Sequence, residues 1–294
     1  MKFLTFERNG QPRLGLVSDG GRVIDVAAAG GPADLLSVVK GGEAALQQVR
    51  RAVEGAKAEA SLALEGLKFL PPFPHPAKNV FCVGRNYAAH VAEGARARGQ
   101  QGVQVPEFPE FFSKATTAVN AHEGVVPLDP KVTGKFDYEV ELGVVIGKAG
   151  KNIAAAQAMD HVFGFTIVND FTARDLQRRH GQWFKGKTLD GTCPIGPIVV
   201  VRSALPNYGD LAIRLRVNGE QRQNDRTSSM VHKVENIIES LSAGLTLEPG
   251  DVIATGTPSG VGFAMDPPQF LKGGDVVEAE IEGIGILRNT IREV

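Results

Sequence analysis

The stretch from Tyr138 to Leu142 constrains the fold of this chain more than any other. Apolar and acidic side chains alternate strictly along it, which predicts a β-strand that carries Glu139 and Glu141 on one face. The strand continues into Gly143-Val-Val-Ile146, which is apolar on both faces and therefore indicates a buried strand. Two carboxylates on one face of such a strand either face solvent or share a positive partner such as a divalent cation.

Charge and hydropathy exclude several classes of partner. Among the 294 residues, 32 Lys and Arg balance 33 Asp and Glu, so no overall charge favours binding to nucleic acid or to an anionic membrane. The apolar start at residues 1–6 is interrupted at once by Glu7 and Arg8, which argues against a signal peptide. No apolar window is long enough for a membrane span. We therefore expect a cytoplasmic protein in which Cys82 and Cys193 are buried free thiols.

The sequence predicts two domains with a boundary near residue 70. Residues 1–70 contain strand-like runs with a turn at Asn9-Gly10, followed by helical patterns over residues 35–39 and 43–60. This pattern indicates a small N-terminal α+β domain. A proline-rich segment, Leu70-Pro-Pro-Phe-Pro-His-Pro76, then separates it from a strand-rich domain over residues 71–294. Farther along, Asn218-Gly219 between two strand-like runs predicts a β-hairpin.

A short apolar strand before Gly84 leads into a helical pattern for which Asn86 is the expected N-cap. His90 and Glu93 are three residues apart on this helix and therefore lie on one face. A carboxylate beside an imidazole raises its basicity and fixes its tautomer, as a general base requires. The alternative is a surface ion pair. Residues 94–110 form a long polar segment without periodicity, which is typical of a lid or a disordered loop.

Two further polar residues follow apolar runs. Lys114 comes directly after Phe111-Phe112-Ser113, where a lysine is either a surface residue with a buried stem or a ligand for an anion. Asp170 follows the apolar strand that we predict over residues 162–168. It can either cap the next helix or bind a ligand.

Five ordered motifs carry a family resemblance. They are Gly84-Arg-Asn-Tyr-Ala-Ala-His-Val-Ala-Glu93, Asp137-Tyr-Glu-Val-Glu-Leu142, Asn169-Asp170 with Thr172-Ala-Arg-Asp175, Gly186-Lys-Thr-Leu-Asp190 and Gly256-Thr-Pro-Ser-Gly-Val-Gly262. Together they resemble the fumarylacetoacetate hydrolase family over residues 78–294. The resemblance implies a β-rich α+β fold with a mixed β-sandwich or β-roll catalytic domain, and a homodimer.

The same resemblance implies a metal site and a set of site residues. Carried over by motif, Mg²⁺ or Mn²⁺ is held by Glu139, Glu141 and Asp170, which are oxygen ligands suited to a hard cation. His90 with Glu93 would activate water, and Lys187 would stabilise enolate charge or relay a proton. The expected substrate contacts are Arg85, Tyr87, Lys114, Arg174, Gln177 and Thr257.

The family acts on 2-oxo and 2,4-dioxo acids, so three functions compete. The leading expectation is a metal-dependent hydrolase that cleaves a C–C bond of an acylpyruvate such as fumarylpyruvate or fumarylacetoacetate, because the His90 and Glu93 pair suits activation of water. The second is an isomerase or decarboxylase of a 2-hydroxy-diene dioic acid from aromatic catabolism, or of oxaloacetate. The third is a metal-binding interaction protein without turnover.

Overall fold

The N-terminal residues form a β-meander and one long helix. The computed structural model describes residues 1–18, 20–100 and 104–294. Its first elements are β1 (Lys2–Arg8), β2 (Gln11–Val17), β3 (Arg22–Asp25), α1 (Leu35–Glu54), β4 (Ser61–Ala63) and β5 (Lys68–Leu70). Helix α1 joins the two predicted helical patterns across a non-helical Gly42 and ends earlier than expected. The Asp34 carboxylate caps it by accepting the Ser37 N–H at 2.8 Å.

The middle of the chain supplies most of the site. Its elements are β6 (Val80–Gly84), α2 (Ala88–Ala97), β7 (Glu110–Lys114), β8 (Val119–Asn120), β9 (Val125–Leu128), β10 (Phe136–Asp137), β11 (Val140–Ile146), β12 (Val162–Asn169), β13 (Thr172–Ala173), α3 (Arg174–Arg179), α4 (Phe184–Lys187) and β14 (Cys193–Val201).

The last third of the chain is mostly strands. It comprises β15 (Ala212–Val217), β16 (Glu220–Arg226), α5 (Val234–Ser242), β17 (Val252–Ala254), β18 (Val276–Ile281) and β19 (Gly285–Glu293). Strands β15 and β16 form the predicted hairpin. Its turn residues Asn218 and Gly219 have φ angles of 52° and 80°, the left-handed conformation that Asn-Gly adopts readily.

Two sheets pack face to face around the core. Within the described residues, the larger sheet has the order β4-β3-β2-β1-β14-β12-β11-β17-β6-β7, with β5 on β1 and β8 on β14, and the smaller has the order β16-β15-β18-β19-β9. Beyond Glu141, strand β11 is apolar on both faces, and both faces are covered. Val140 and Leu142 lie in a cluster with Ile213 of the smaller sheet, while Val145 lies in a second cluster with residues of α1. The expected β-rich α+β fold is confirmed.

The N-terminal strands continue the larger sheet. Strand β1 pairs antiparallel with β14, with Lys2 opposite Val200 and Phe3 opposite Val199. The sheet therefore has no break at residue 70, and the division into domains at residues 1–70 and 71–294 stays a prediction about folding units. Cys82 and Cys193 are buried and free, as expected. No helix in the described ranges combines the length and the apolarity needed to cross a bilayer.

Candidate metal centre and active site

Three carboxylates meet where β11 begins and β12 ends. These strands are antiparallel, with Val140 opposite Asn169, so Glu139 and Glu141 at the start of β11 lie beside Asp170 at the end of β12. Each carboxylate offers one oxygen within 4.8 Å of the other two. All three side chains are buried, so the solvent-facing alternative for the acidic strand is wrong. The N-cap alternative for Asp170 is wrong as well, because α3 begins at Arg174.

Buried cations neutralise part of this cluster. Lys187 Nζ donates to Glu139 Oε2 at 2.7 Å and to Asp170 Oδ2 at 2.5 Å, and Lys114 Nζ donates to Asp170 Oδ1 at 2.7 Å. Arg174 Nη1 lies 2.6 Å from Glu139 Oε1. Burial alone would raise the pKa of Glu139, but the charges of Lys187 and Arg174 outweigh burial and lower that pKa. Glu139 is therefore ionised at neutral pH.

Glu141 carries the charge that its surroundings do not offset. It accepts the Gly256 N–H at 2.7 Å, and within the described ranges no basic side chain lies within 4.0 Å of it. Burial, and then the negative charges of Asp170 and Glu139, raise the pKa of Glu141 well above its ordinary value. A divalent cation would relieve this repulsion, and the all-oxygen donor set suits Mg²⁺ and Mn²⁺ alike. The three carboxylates therefore fit the expected metal.

A cavity of about 470 Å³ opens onto Glu139 and Glu141. Its wall holds most of the residues expected to act there, namely Arg85, His90, Arg174, Gln177, Lys187 and Thr257. Further polar and aromatic groups outside the predicted set of site residues line it, namely Arg98, Gln100, Phe112, Arg178, Trp183 and Phe263. The cavity is therefore lined by many basic side chains around the two glutamates.

The His90 and Glu93 pair forms as predicted on α2. His90 Nδ1 lies 2.8 Å from Glu93 Oε1, and Glu93 Oε2 accepts the Gly260 N–H at 2.8 Å. Glu93 is buried behind His90, so the alternative of a surface ion pair is wrong. Because the Glu93 carboxylate accepts a hydrogen bond from Nδ1–H, the neutral imidazole presents an unprotonated Nε2. This is the state that a general base needs.

Lys114 and Tyr87 do not lie on the cavity wall, contrary to expectation. The Lys114 side chain is fully buried and donates to Asp170 and to the Phe171 carbonyl at 2.9 Å, so it holds Asp170 instead of a substrate. The alternative of a surface lysine is wrong for the same reason. Tyr87 is also fully buried in the apolar core. Its position excludes direct contact with a substrate in the cavity.

The hydroxyl of Thr257 is engaged within the protein. It donates to the Val140 carbonyl at 2.9 Å and accepts from Gln223 Nε2 at 2.8 Å. Thr257 thus fastens the 256–262 loop to the start of β11. The expected contact between this hydroxyl and a substrate anion is not available in this arrangement.

Sequence reasoning missed the positioning role of Asp137 and assigned Asn86 the wrong role. Asp137 is fully buried and accepts from Arg174 Nε at 2.9 Å and from the Gly262 and Phe263 N–H groups at 2.8 and 3.0 Å. The sequence feature that could have revealed the role of Asp137 was an acidic residue between Phe136 and Tyr138 in a buried strand. Asn86 is not the N-cap of α2. Its side-chain amide instead accepts the His232 N–H and donates to the Thr255 carbonyl.

The predicted lid at residues 94–110 is partly regular structure. Helix α2 continues to Ala97, and β7 begins at Glu110. Pro106 is tied to the turn before α5, since its carbonyl lies 3.1 Å from His232 Nε2. Residues 101–103 lie outside the described part of the chain, and lid behaviour stays a prediction.

Comparison with known proteins identifies the family. The sequence pattern described as "Fumarylacetoacetate (FAA) hydrolase C-terminal" matches residues 79–292. The chain belongs to the fumarylacetoacetate hydrolase family. The match contains the three carboxylates, the His90 and Glu93 pair and Lys187.

Relatives within the fumarylacetoacetate hydrolase family differ in their named reactions. Oxaloacetate tautomerase YisK of Bacillus subtilis is 48% identical over 229 residues, which cover 78% of this chain and 74% of that protein. A mitochondrial oxaloacetate tautomerase of Bos taurus is 44% identical over 285 residues, which cover 95% and 87%. A solved fumarylacetoacetate hydrolase from Exiguobacterium antarcticum is 38% identical with a TM-score of 0.84, and the two chains cover each other completely. Family membership therefore does not decide between tautomerisation and hydrolysis.

Proposed function

We propose that this enzyme catalyses the divalent-cation-dependent keto–enol tautomerisation of a 2-oxo acid, with oxaloacetate as the first candidate. The observation that carries the proposal is that His90 and Lys187 line the same cavity as Glu139 and Glu141. A base and a fixed cation beside a carboxylate cluster match the needs of proton transfer next to a carbonyl. The two relatives named as oxaloacetate tautomerases support the same reaction.

Glu139, Glu141 and Asp170 would hold the cation in this enzyme. A divalent cation bound there supplies Lewis acidity that stabilises negative charge on the 2-oxo oxygen. Lys114 and Lys187 hold Asp170 from two sides, and Arg174 holds Glu139, so these ligands are oriented before the cation and substrate arrive.

His90 is the proposed proton carrier. In the forward direction Nε2 takes a proton from C3 of the keto acid, the C–H electron pair becomes the C2=C3 bond, and the carbonyl pair moves onto oxygen. The protonated imidazole then gives this proton to the oxygen, which completes the enol without loss of atoms. Glu93 stabilises the imidazolium formed on the way, because its carboxylate accepts from Nδ1 at 2.8 Å.

Lys187 acts as a fixed positive charge. Burial alone would lower its pKa, but the charges of Asp170 and Glu139 outweigh burial and raise it above its ordinary value. The ammonium group therefore stays protonated near neutral pH and stabilises oxyanion character in the substrate. Of the two expected roles, charge stabilisation fits this raised pKa better than proton relay.

The test of this function follows the enol form of oxaloacetate by its ultraviolet absorbance, with Mg²⁺ or Mn²⁺ present. We expect the enzyme to accelerate the approach to equilibrium from both the keto and the enol side, and chelator to abolish the acceleration. Assay of acylpyruvates under the same conditions provides the comparison. Acylpyruvate cleavage with no effect on oxaloacetate would overturn the proposal.

Hydrolysis of a 2,4-dioxo acid is the second candidate. The His90 and Glu93 pair favours it, since the same imidazole can deprotonate water. The likeness to the Exiguobacterium antarcticum fumarylacetoacetate hydrolase supports it as well. In this case His90→Ala should lose acylpyruvate cleavage and retain part of any oxaloacetate decarboxylation, which needs no attacking water. Equal loss of both activities would show that the imidazole is not specific for water.

A further inference from the structure

Two guanidinium groups lie over the ring of Phe263 on the cavity wall, and a third arginine, Arg98, lines the same cavity. The Cζ atoms of Arg174 and Arg178 lie 4.5 and 5.9 Å from the ring centroid. Arg98 and the Phe263 ring both approach Gly94: a Cβ atom placed on Gly94 would lie 3.3 Å from Arg98 Nη1 and 3.6 Å from Phe263 Cζ. All three arginines line the cavity. Within the described residues, Arg98 and Arg178 form no ion pair with the three carboxylates, whereas Arg174 also pairs with Glu139.

Arg98 and Arg178 lack the acidic partners that the other cavity arginines have. Arg85 pairs with Glu110, and Arg174 pairs with Asp137 and Glu139. In residues 1–18, 20–100 and 104–294, no carboxylate lies within 4.0 Å of Arg98 or Arg178, and Arg98 Nε donates only to Gln100 Oε1 at 3.1 Å. Burial, and then the charges of Arg178, Arg85 and Arg174, lower the pKa of Arg98. The fold thus gathers cations that repel one another around a space open to ligands.

One of these guanidinium groups is buried with an unused donor. Arg174 is only 5% exposed, and its Nη2 has no hydrogen-bond partner among the described residues. Buried donors in folded proteins are almost always satisfied, so an orphaned N–H on a cavity wall indicates an acceptor that the ligand brings. Guanidinium groups bind carboxylates with particular strength because they can donate two parallel hydrogen bonds.

We propose that Arg98 and Arg178, with Nη2 of Arg174, form a distal anion subsite that binds the second carboxylate of a 2-oxo diacid. This inference rests on the proposed function, since it assumes that the 2-oxo acid end of the substrate lies at the carboxylate cluster. The subsite joins the end of α2, which carries His90, to α3, which carries Arg174. Arg98 and Arg178 are thereby specificity residues that select a diacid over a monoacid.

The experiment compares oxaloacetate with its 4-methyl ester, which keeps the reacting carbons and lacks the distal charge. The double variant R98Q/R178Q should lose about 10- to 100-fold in kcat/KM for oxaloacetate, mainly through KM, as expected for lost charge-assisted hydrogen bonds. For the ester, kcat/KM should change less than about threefold. The diacid preference of the wild type should also weaken at high salt, while the variant should show little salt dependence.

Arg96→Gln and Arg179→Gln are matched controls. Both arginines are exposed, lie within two residues of Arg98 or Arg178, and are absent from the cavity wall. Each control should keep the preference for the diacid. A double variant R98Q/R178Q that retains the wild-type ratio between diacid and ester would overturn the subsite, and so would equal losses on both compounds.

A binding measurement separates this inference from the proposed function. The compound 3,3-difluorooxaloacetate has no C3 hydrogen and cannot enolise, so its affinity, measured by calorimetry with Mn²⁺ present, does not depend on turnover. We expect about tenfold weaker binding to R98Q/R178Q than to the wild type. If the variant binds the difluoro compound more weakly than the wild type does, but neither protein has tautomerase activity, the proposed function alone is rejected. Equal affinity of both proteins, with normal tautomerase activity, would reject the subsite alone.

Discussion

At the scale of single residues, Glu141 is the carboxylate whose negative charge the surrounding side chains offset least. It is buried beside Glu139 and Asp170, and among the described residues it accepts a hydrogen bond only from the Gly256 N–H. We expect Glu141→Gln to abolish Mn²⁺ binding measured by calorimetry and to lower tautomerase activity at least about 100-fold. The metal-free variant should unfold at a temperature no lower than that of the wild type, since burial and the neighbouring carboxylates disfavour the negative charge that the substitution removes.

Glu123→Gln is the control for this substitution, because the Glu123 side chain is 56% exposed and lies outside the cavity wall. It should leave Mn²⁺ affinity and activity unchanged. Wild-type turnover by Glu141→Gln in the presence of chelator would contradict the proposed metal centre.

The sequence predicted which carboxylates come together better than it predicted the partners of the lysines. Alternation along the acidic strand is a local property, so it placed Glu139 and Glu141 on one face. Which anion a lysine meets depends on distant segments. Lys114 meets Asp170, 56 positions away, and no local pattern encodes that contact. Arg98 was hidden within a polar segment whose composition indicated only a loop.

At the scale of elements, the close approach of α3 and α4 positions Lys187. A Cβ atom on Gly186 would lie 2.3 Å from the Gln177 backbone nitrogen and 2.7 Å from the Ala173 carbonyl oxygen. Because both obstacles are backbone atoms, no side-chain rotation can relieve the clash. Gly186→Ala should therefore push α4 away from α3, move Lys187 off Glu139 and Asp170, and lower the free energy of unfolding by about 1–3 kcal/mol.

Kinetics and chemical denaturation of Gly186→Ala provide the measurement, with kcat expected to fall more than metal affinity. Gly209→Ala is the control, since a Cβ atom there would meet nothing within 4 Å. Unchanged activity and stability of Gly186→Ala would show that the two helices separate without consequence for Lys187.

Asp25 links the first three strands through two arginines. Its buried carboxylate lies 3.0 Å from Arg8 Nη1 and 3.0 Å from Arg13 Nη2, and it also accepts the Ala28 N–H at 3.0 Å. Burial alone would raise the pKa of Asp25, but the Ala28 N–H, Arg13 and Arg8 outweigh burial and lower it. Its contribution to stability is therefore complete above the ordinary aspartate pKa and is lost as the pH falls through the lowered value.

Asp25→Asn should accordingly lower the free energy of unfolding by about 2–3 kcal/mol at pH 7, measured with urea. The difference from wild type should shrink as the pH falls below about 4. Glu43→Gln, which removes an exposed pair with Arg50, should change stability by less than about 0.5 kcal/mol. A deficit of Asp25→Asn that stays constant with pH would contradict this account.

Turns were easier to predict than helix ends. Asn218-Gly219 has the intrinsic preference for the left-handed backbone that its hairpin requires, and the hairpin formed as expected. Asn86 also has a strong local preference, but tertiary contacts with His232 and Thr255 use its amide instead. A local preference predicts a turn or a helix end only where no distant residue binds the same side chain.

At the scale of the whole molecule, the N-terminal residues complete the core of the rest. Phe3 and Val38 lie in the same buried cluster as Val145 and Val199 of the central strands. Removing residues 1–70 would expose this cluster and leave the edge of β14 unpaired. We expect the fragment 71–294 to aggregate or to unfold without cooperativity, as measured by gel filtration and thermal circular dichroism.

A soluble fragment 71–294 that unfolds cooperatively and binds Mn²⁺ normally would instead support two independent domains. The pattern of the first 70 residues could not reveal this dependence, because strand pairing between residues about 200 positions apart leaves no trace in local periodicity. The homodimer also stays a prediction, for which light scattering on the full chain is the measurement.

The single tryptophan, Trp183, lies on the cavity wall. Its ring covers Gly84 so closely that a Cβ atom there would lie 2.1 Å from Trp183 Cζ3, and the Phe112 ring meets it edge-on with 5.6 Å between ring centroids. Because the chain has no other indole, its ultraviolet emission arises almost entirely from the wall of this cavity. The enzyme thus carries a built-in optical probe, through which arrival and departure of ligands can be timed without attaching a dye.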